Sequence, residues 1–222
     1  MQTLTILICT HNRADLLERT LASLNAAKRS SAHVQIVIAA NACTDDTVAR
    51  MQSYQAQQRE HDWLPLQLII VPAPGKSHAL NAAIPHVRES DIVTFVDDDH
   101  RVDFGYLEQI CMAAETYPEY SLFCGRILPD WDGSEPSWVH DEGPYMIRPL
   151  PIPRSDNGPV PKEITLADPA PGGGNLFLRG AVLERVGGFS TALGPKGHDL
   201  GGGEDSAFIQ TALELGERLI YI

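Results

Sequence analysis

Short, uninterrupted apolar runs alternate with stretches in which apolar residues recur every three or four positions, and this alternation fills the first half of the chain. Leu4–Cys9, Val34–Ala40, Leu66–Val71 and Ile92–Val96 are aliphatic, β-branched runs of strand length. Continuous rather than alternating apolar character predicts strands buried on both faces, as in a parallel sheet. Between them, four sets mark helical faces: Leu16, Leu17, Leu21 and Leu24; Val48 and Met51; Leu80, Ile84 and Val87; and Phe104, Leu107, Ile110, Cys111 and Ala114. Asn12 with Asp15 resembles a capping box, Thr44 can cap the second helix, and Pro85 should kink or shorten the third. Strand–helix alternation at this spacing predicts right-handed crossovers, hence an α/β fold on a single doubly wound, mostly parallel sheet flanked by helices.

The pattern breaks at Pro129. Residues 129–171 hold ten of the sixteen prolines, together with Trp131, Trp138 and Tyr145. A long segment without periodicity inside a compact domain is a functional loop or a disordered insertion, and the aromatics favour a lid that stacks on a ligand. Regular structure should return with Asn175–Leu178 and a short helix over Ala181–Val186, ended by Gly187-Gly188. A last helix is expected from Glu204 to Leu215, with Phe208, Ile209, Ala212 and Leu213 inward, before a strand from Leu219 to Ile222.

Composition narrows the function. With 222 residues and 43% hydrophobic content, the chain can build a full core. Its formal charge of −12 opposes a nucleic-acid or anionic-membrane partner, although a metal or lysine can still hold a phosphate. The four cysteines lack metal or redox spacing, and Cys9, Cys111 and Cys124 sit in apolar runs, as reduced core residues of a cytoplasmic protein would. No leader and no apolar run of transmembrane length is present, so the expected location is cytoplasmic, or peripheral at the inner membrane.

Two acidic clusters carry the candidate chemistry. Asp97-Asp98-Asp99 follows the fourth predicted strand, where ligands of open α/β sheets bind. Strand alternation would place Asp97 and Asp99 on one face and Asp98 on the other. Converging carboxylates repel unless a cation lies between them, and a hard divalent ion, Mg²⁺ or Mn²⁺ holding a diphosphate, answers that need. A solvated acidic turn or a helix cap is the alternative. Glu204-Asp205 follows Gly201-Gly202-Gly203 at a predicted helix N-terminus, either as ordinary capping residues or as a general base. The helix dipole would weaken such a base unless desolvation offset it. Gly75-Lys76-Ser77 is not a P-loop, because position 70 is Ile70, and Arg101 spoils an aspartyl phosphatase pattern. His11 and His100 lack a second histidine at ligand spacing and read as polar loop residues.

Seven short segments then occur in one order: Thr5–Arg13, Asn41–Thr47, Gly75–Asn81, Phe95–Asp99, Gly172–Asn175, Gly187–Phe189 and Gly203–Asp205. In this order they resemble the family 2 glycosyltransferases, inverting enzymes with the GT-A fold, over nearly the whole chain. The resemblance implies a divalent metal (Mn²⁺ or Mg²⁺) on Asp97 and Asp99, with Asp98 near the donor. It implies Asp205 as catalytic base with Glu204 orienting the acceptor. Thr10, Asn12, Arg13, Asn41 and Lys76 would bind the nucleotide, and Gly173, Gly174 and Asn175 would flank the sugar.

Two departures stand out. Many relatives carry a base-recognising Asp immediately before the Asn41 position, where this chain has Ala40. Some GT-A enzymes also place a metal-binding His after the strand that Leu219 starts; here the sequence stops at Ile222, so the chain is a fragment or phosphate and water complete the metal.

The resulting expectation is a metal-dependent transferase moving a sugar from a nucleoside-diphosphate donor to a hydroxyl of a glycan, lipid or small acceptor. Residues 1–128 would form the nucleotide-sugar half, 129–171 the lid, and 172–222 the acceptor and base half. A catalytically silent GT-A module binding nucleotide sugar or glycan is the alternative. A nucleotidyltransferase is disfavoured, because Cys9–Arg13 offers no Gly-rich phosphate loop.

Overall fold

The computed structural model describes residues 2–131, 133–140, 154–195 and 201–222. The first half follows its apolar pattern closely. Strands β1 (Thr3–Thr10), β2 (His33–Asn41), β3 (Leu66–Val71) and β4 (Ile92–Phe95) alternate with helices α1 (Ala14–Ala26), α2 (Thr47–Gln57), α3 (Lys76–Val87) and α4 (Tyr106–Thr116). These four strands pair in parallel in the order β3-β2-β1-β4, as short βαβ crossovers dictate. β2 and β4 flank β1 on opposite sides, so the chain reverses direction across the sheet there and opens a crevice at the strand carboxyl ends.

The second half is mixed. β5 (Leu122–Cys124), β6 (Lys162–Ile164), β7 (Leu176–Arg179) and β8 (Leu219–Tyr221) extend one eight-stranded sheet in the order β3-β2-β1-β4-β7-β5-β8-β6. β7 runs antiparallel to both β4 and β5, and β6 antiparallel to β8. The expected single, mostly parallel sheet is present, and its antiparallel members all lie in the second half. β5 and β6, three residues each, carry too little pattern to be read as strands. The antiparallel pairing matters for the site, because Leu176 at the start of β7 lies opposite Phe95 at the end of β4. Gly173 and Gly174 are thereby brought to the mouth of the acidic triplet.

Helices α5 (Ala181–Val186) and α6 (Glu204–Glu214) complete the fold. The sheet buries both faces, one beneath α1, α2 and α4, the other beneath α3, α5 and α6. Phe123 and Phe177 stack with ring centroids 4.7 Å apart, locking β5 to β7.

Several local expectations fail for physical reasons. Leu16 and Phe104 are exposed; Phe104 precedes α4 instead of lying on its inner face. Neither Asn12 nor Thr44 caps a helix. Asn12 instead adopts φ +52° and accepts hydrogen bonds from the backbone N–H groups of Thr44 (2.7 Å) and Asp45 (3.2 Å), stapling the loop after β1 to the loop after β2. Pro85 is tolerated inside α3, which ends two residues later.

Part of the 129–171 segment is built into the sheet. Lys162–Ile164 forms an edge strand, and Ile127 bridges Ser155. Trp131 lies 4.7 Å from the His140 ring, and Trp138 is partly exposed. Tyr145 lies outside the described residues.

Candidate active site

β1, β2 and β4 end side by side, and the residues just past their ends enclose a cleft of about 300 Å³. Of the sites expected from sequence, Thr10, Arg13, Asn41, Lys76, Asp97, Asp98 and Asp99 line it. Cys9, His11 and Pro195 line it as well, unexpectedly. Cys9, free and half-buried, packs against the core and also lines the cleft, and burial of its sulfur pushes the thiol pKa up. Cys111 and Cys124 are buried, as expected.

The acidic triplet does not alternate as a strand would. β4 ends at Phe95, and the aspartates occupy the turn that follows, closed by a hydrogen bond from the His100 N–H to the Asp97 carbonyl (3.2 Å). Asp98 and Asp99 both receive Arg13 Nη1, at 3.1 and 2.9 Å. Asp97 faces the other way, with Oδ1 3.4 Å from Lys76 Nζ and Oδ2 3.9 Å from His100 Nε2. Asp97 and Asp99 are thus not a ready pair on one face. Burial pushes the Asp98 carboxyl pKa up, opposed by Thr10 and Arg13.

Lys76 joins the two acidic clusters. Its Nζ lies 3.1 Å from Glu204 Oε1 and 3.2 Å from Asp205 Oδ2, besides the contact to Asp97. Burial alone would lower the lysine pKa, but Asp97, Asp205 and Glu204 together drive it up, so it stays charged. The sequence builds this position from several directions. Asn41 accepts a hydrogen bond from the Gly75 N–H (2.8 Å) and donates one to the Ala73 carbonyl (2.7 Å), holding the turn that starts α3 at Lys76. Gly203, at φ +98°, turns the chain into α6 so that Glu204 and Asp205 open the helix. The Glu204 side chain is 5% exposed and that of Asp205 19%. Burial pushes the Asp205 carboxyl pKa up, with Lys76 pulling the other way. Desolvation thus offsets the helix N-terminus.

Gly173 and Gly174 seat both clusters. A Cβ on Gly173 would fall 2.3 Å from the Asp205 carboxyl, and one on Gly174 would fall 2.2 Å from the His100 ring and 2.7 Å from Asp97 Oδ2. Only glycine lets the backbone lie this close. Two residues expected to contact the donor make hydrogen bonds within the protein. Asn12 staples loops outside the cleft, and Asn175 donates its amide to the Arg126 carbonyl (2.9 Å). Asn41 lines the cleft, but its amide is committed to the Ala73–Gly75 turn. His11 and His100 were passed over for want of a partner histidine; their position beside segments already chosen, Thr10–Arg13 and the acidic triplet, was the usable signal.

Among the described residues no three His, Cys, Asp or Glu side chains form a preformed metal cage. The charge balance nevertheless suits a cation. Five carboxylates, Asp97, Asp98, Asp99, Glu204 and Asp205, face two fixed cations, Arg13 and Lys76. Asp97 and Asp99 are the more exposed of the five, and carboxylate oxygens are the donors that Mg²⁺ and Mn²⁺ prefer.

The family model described as Glycosyl transferase family 2 matches residues 5–174, most of the chain, taking in four of its seven motifs whole and all but the last residue of a fifth. The chain belongs to that family. The fold is similar to that of S. aureus TarS residues 1–349, at a TM-score of 0.70 and 17% identity, covering 100% of this chain and 58% of that one. TarS 1–349 in complex with UDP-GlcNAc aligns at a TM-score of 0.64 and 19% identity, over 100% and 56% of the two chains. The mannosyltransferase PcManGT from Pyrobaculum calidifontis, in complex with GDP-Man and Mn²⁺, aligns at 0.65 and 19%, over 99% and 54%. The chain therefore spans a little over half the length of these relatives. No curated protein sequence matches it. The architecture is that of the GT-A enzymes. No helix among the described residues is long and apolar enough to cross a membrane.

Proposed function

We propose that the protein is a metal-dependent inverting glycosyltransferase, moving a sugar from a nucleoside-diphosphate donor to an acceptor hydroxyl. One observation carries the reading: the two acidic clusters meet at Lys76, at the mouth of a cleft on the carboxyl ends of β1, β2 and β4. A cleft so rich in carboxylates repels a bare diphosphate, so the donor enters with a cation. Asp97 and Asp99 are the residues that would hold it. When bound, the metal supplies Lewis-acid neutralisation of charge on the departing diphosphate. The TarS and PcManGT complexes, holding UDP-GlcNAc and GDP-Man with Mn²⁺ on the same fold, support this choice of ligand class.

Asp205 is the general base. It must be ionised yet basic, and a half-desolvated carboxylate with raised pKa meets both needs better than an exposed one. It takes the proton of the acceptor hydroxyl as that oxygen bonds to the anomeric carbon. The bond to the diphosphate oxygen breaks on the opposite face, inverting the configuration. Glu204, more deeply buried and held by Lys76, orients the acceptor side. Residues 1–128 bind the donor, and 172–222 form the acceptor and base half. A glycan, lipid or small molecule accepts the sugar.

A thermal-shift panel of nucleoside diphosphates and their sugars, with Mn²⁺ and with chelator, tests this. A ligand bound only by the folded state raises Tm. A metal-dependent rise with at least one nucleotide is expected; no rise with any nucleotide, or a rise indifferent to chelator, contradicts it.

A further inference from the structure

We infer that His11 is the residue that selects the donor's nucleobase, accepting a hydrogen bond from a ring N–H of the base. The inference rests on the transferase reading above, because it assumes that a nucleotide occupies the cleft.

The tautomer follows from one contact. His11 Nδ1 lies 2.6 Å from the Asn41 carbonyl oxygen. A carbonyl only accepts, so Nδ1 carries the proton, and in the neutral ring Nε2 is then an acceptor with a free lone pair. Among the described residues nothing in the protein bonds to Nε2, while the ring lines the cleft. The imidazole is thus oriented by the end of β2 and presents an unused acceptor to whatever enters.

Of the other polar side chains of the cleft, the Thr10 hydroxyl is buried without a partner, and the amide and charged groups are already committed. Asn41 spends its amide on Ala73 and Gly75, Arg13 is held by Asp98 and Asp99, and Lys76 by Asp97, Glu204 and Asp205. Those charged groups are where a diphosphate and its cation belong. His11 and the neutral end of β2 are left for the uncharged part of the ligand, the base. The residue before Asn41 is Ala40, which has no polar side chain, so no carboxylate on that strand end competes for the role. A lone-pair acceptor distinguishes bases by what they offer it. Uracil, thymine and guanine each carry a ring N–H beside a carbonyl, whereas neutral adenine and cytosine have no ring N–H on the face that pairs. Adenine and cytosine offer only an exocyclic amino N–H there, so a ring N–H donor to His11 selects a uridine, thymidine or guanosine diphosphate sugar.

Titration calorimetry with Mn²⁺ tests the assignment, using UDP, dTDP, GDP, CDP and ADP, then the N3-methyl form of UDP or dTDP or the N1-methyl form of GDP, whichever parent binds tightest. Methylation removes the N–H and should weaken binding to the wild-type protein about tenfold, as loss of one hydrogen bond with an unpaired acceptor does. His11→Phe keeps an aromatic ring at an exposed position, so the fold is retained, but removes the acceptor. It should bind the parent about tenfold more weakly and no longer discriminate against the methylated base. Equal binding of parent and methylated nucleotide by the wild type, or undiminished discrimination by His11→Phe, overturns the role of His11 and leaves the transferase reading standing. Tightest binding of CDP or ADP overturns it likewise. Failure of every nucleotide to bind sinks both.

Discussion

Two cations organise the cleft, and they do so under opposite conditions. Arg13 ties Asp98 and Asp99 together with its side chain 49% exposed, whereas Lys76 ties Asp97, Glu204 and Asp205 together at 23%. In the first knot, water and salt screen the Arg13–Asp99 contact, so it contributes little to stability and exchanges readily, whereas Asp98, its side chain 8% exposed, anchors the arginine. The second sits in lower dielectric, where an unpaired charge is costly. The difference assigns the labour. On the proposed reading, Asp99 can leave Arg13 for an incoming cation at small expense, while Asp205 is already held in place.

If the buried knot holds the chemistry, Asp205→Asn should give the largest effect, slowing sugar transfer by about two to four orders of magnitude. Donor consumption under single-turnover conditions checks this. Lys76→Met should follow, costing about 3–5 kcal/mol in urea unfolding, because three carboxylates lose one buried partner. A loss below about 1 kcal/mol would place Lys76 with the screened contacts and erase the contrast. Gly173→Ala should come next. Its Cβ would displace the Asp205 carboxyl, lowering turnover about a hundredfold while donor affinity holds.

The pH response tests the buried knot further. Burial raises the Asp205 pKa in the folded protein above its ordinary 3.8. A raised carboxyl pKa contributes stability that is present in full below the unfolded value and is lost as pH rises through the folded one. At neutral pH the ionised Asp205 therefore costs stability, and Asp205→Asn should melt above the wild type. The gap should close as pH falls through the raised pKa, a course that calorimetric melting follows directly. The acid limb of turnover should also lie above the ordinary aspartate range. Asp99→Ala, the smallest effect on stability, should cost about 1 kcal/mol or less by urea unfolding, because its contact with Arg13 is exposed on both sides.

How much of this was legible depended on how each feature is encoded. Leu4–Cys9 and Leu66–Val71 are long apolar runs, and their strands formed where the pattern placed them. Leu122–Cys124 and Lys162–Ile164 became strands by pairing with β7 and β8, which no local pattern announces. The acidic clusters were visible as motifs, but their junction at Lys76 spans more than a hundred residues of sequence. Asn12, Asn41 and Asn175 were chosen for motif membership. The fold bonds all three amides to its own loops, contacts between distant segments that no local motif announces.

The most direct test compares donor binding by Asp99→Ala and Asp205→Asn, using titration calorimetry of the tightest-binding nucleotide with Mn²⁺. The account predicts that Asp99→Ala abolishes the metal-dependent affinity while Asp205→Asn keeps it and loses only transfer. Equal loss of affinity in both variants would contradict the division between a cluster that binds and a cluster that reacts.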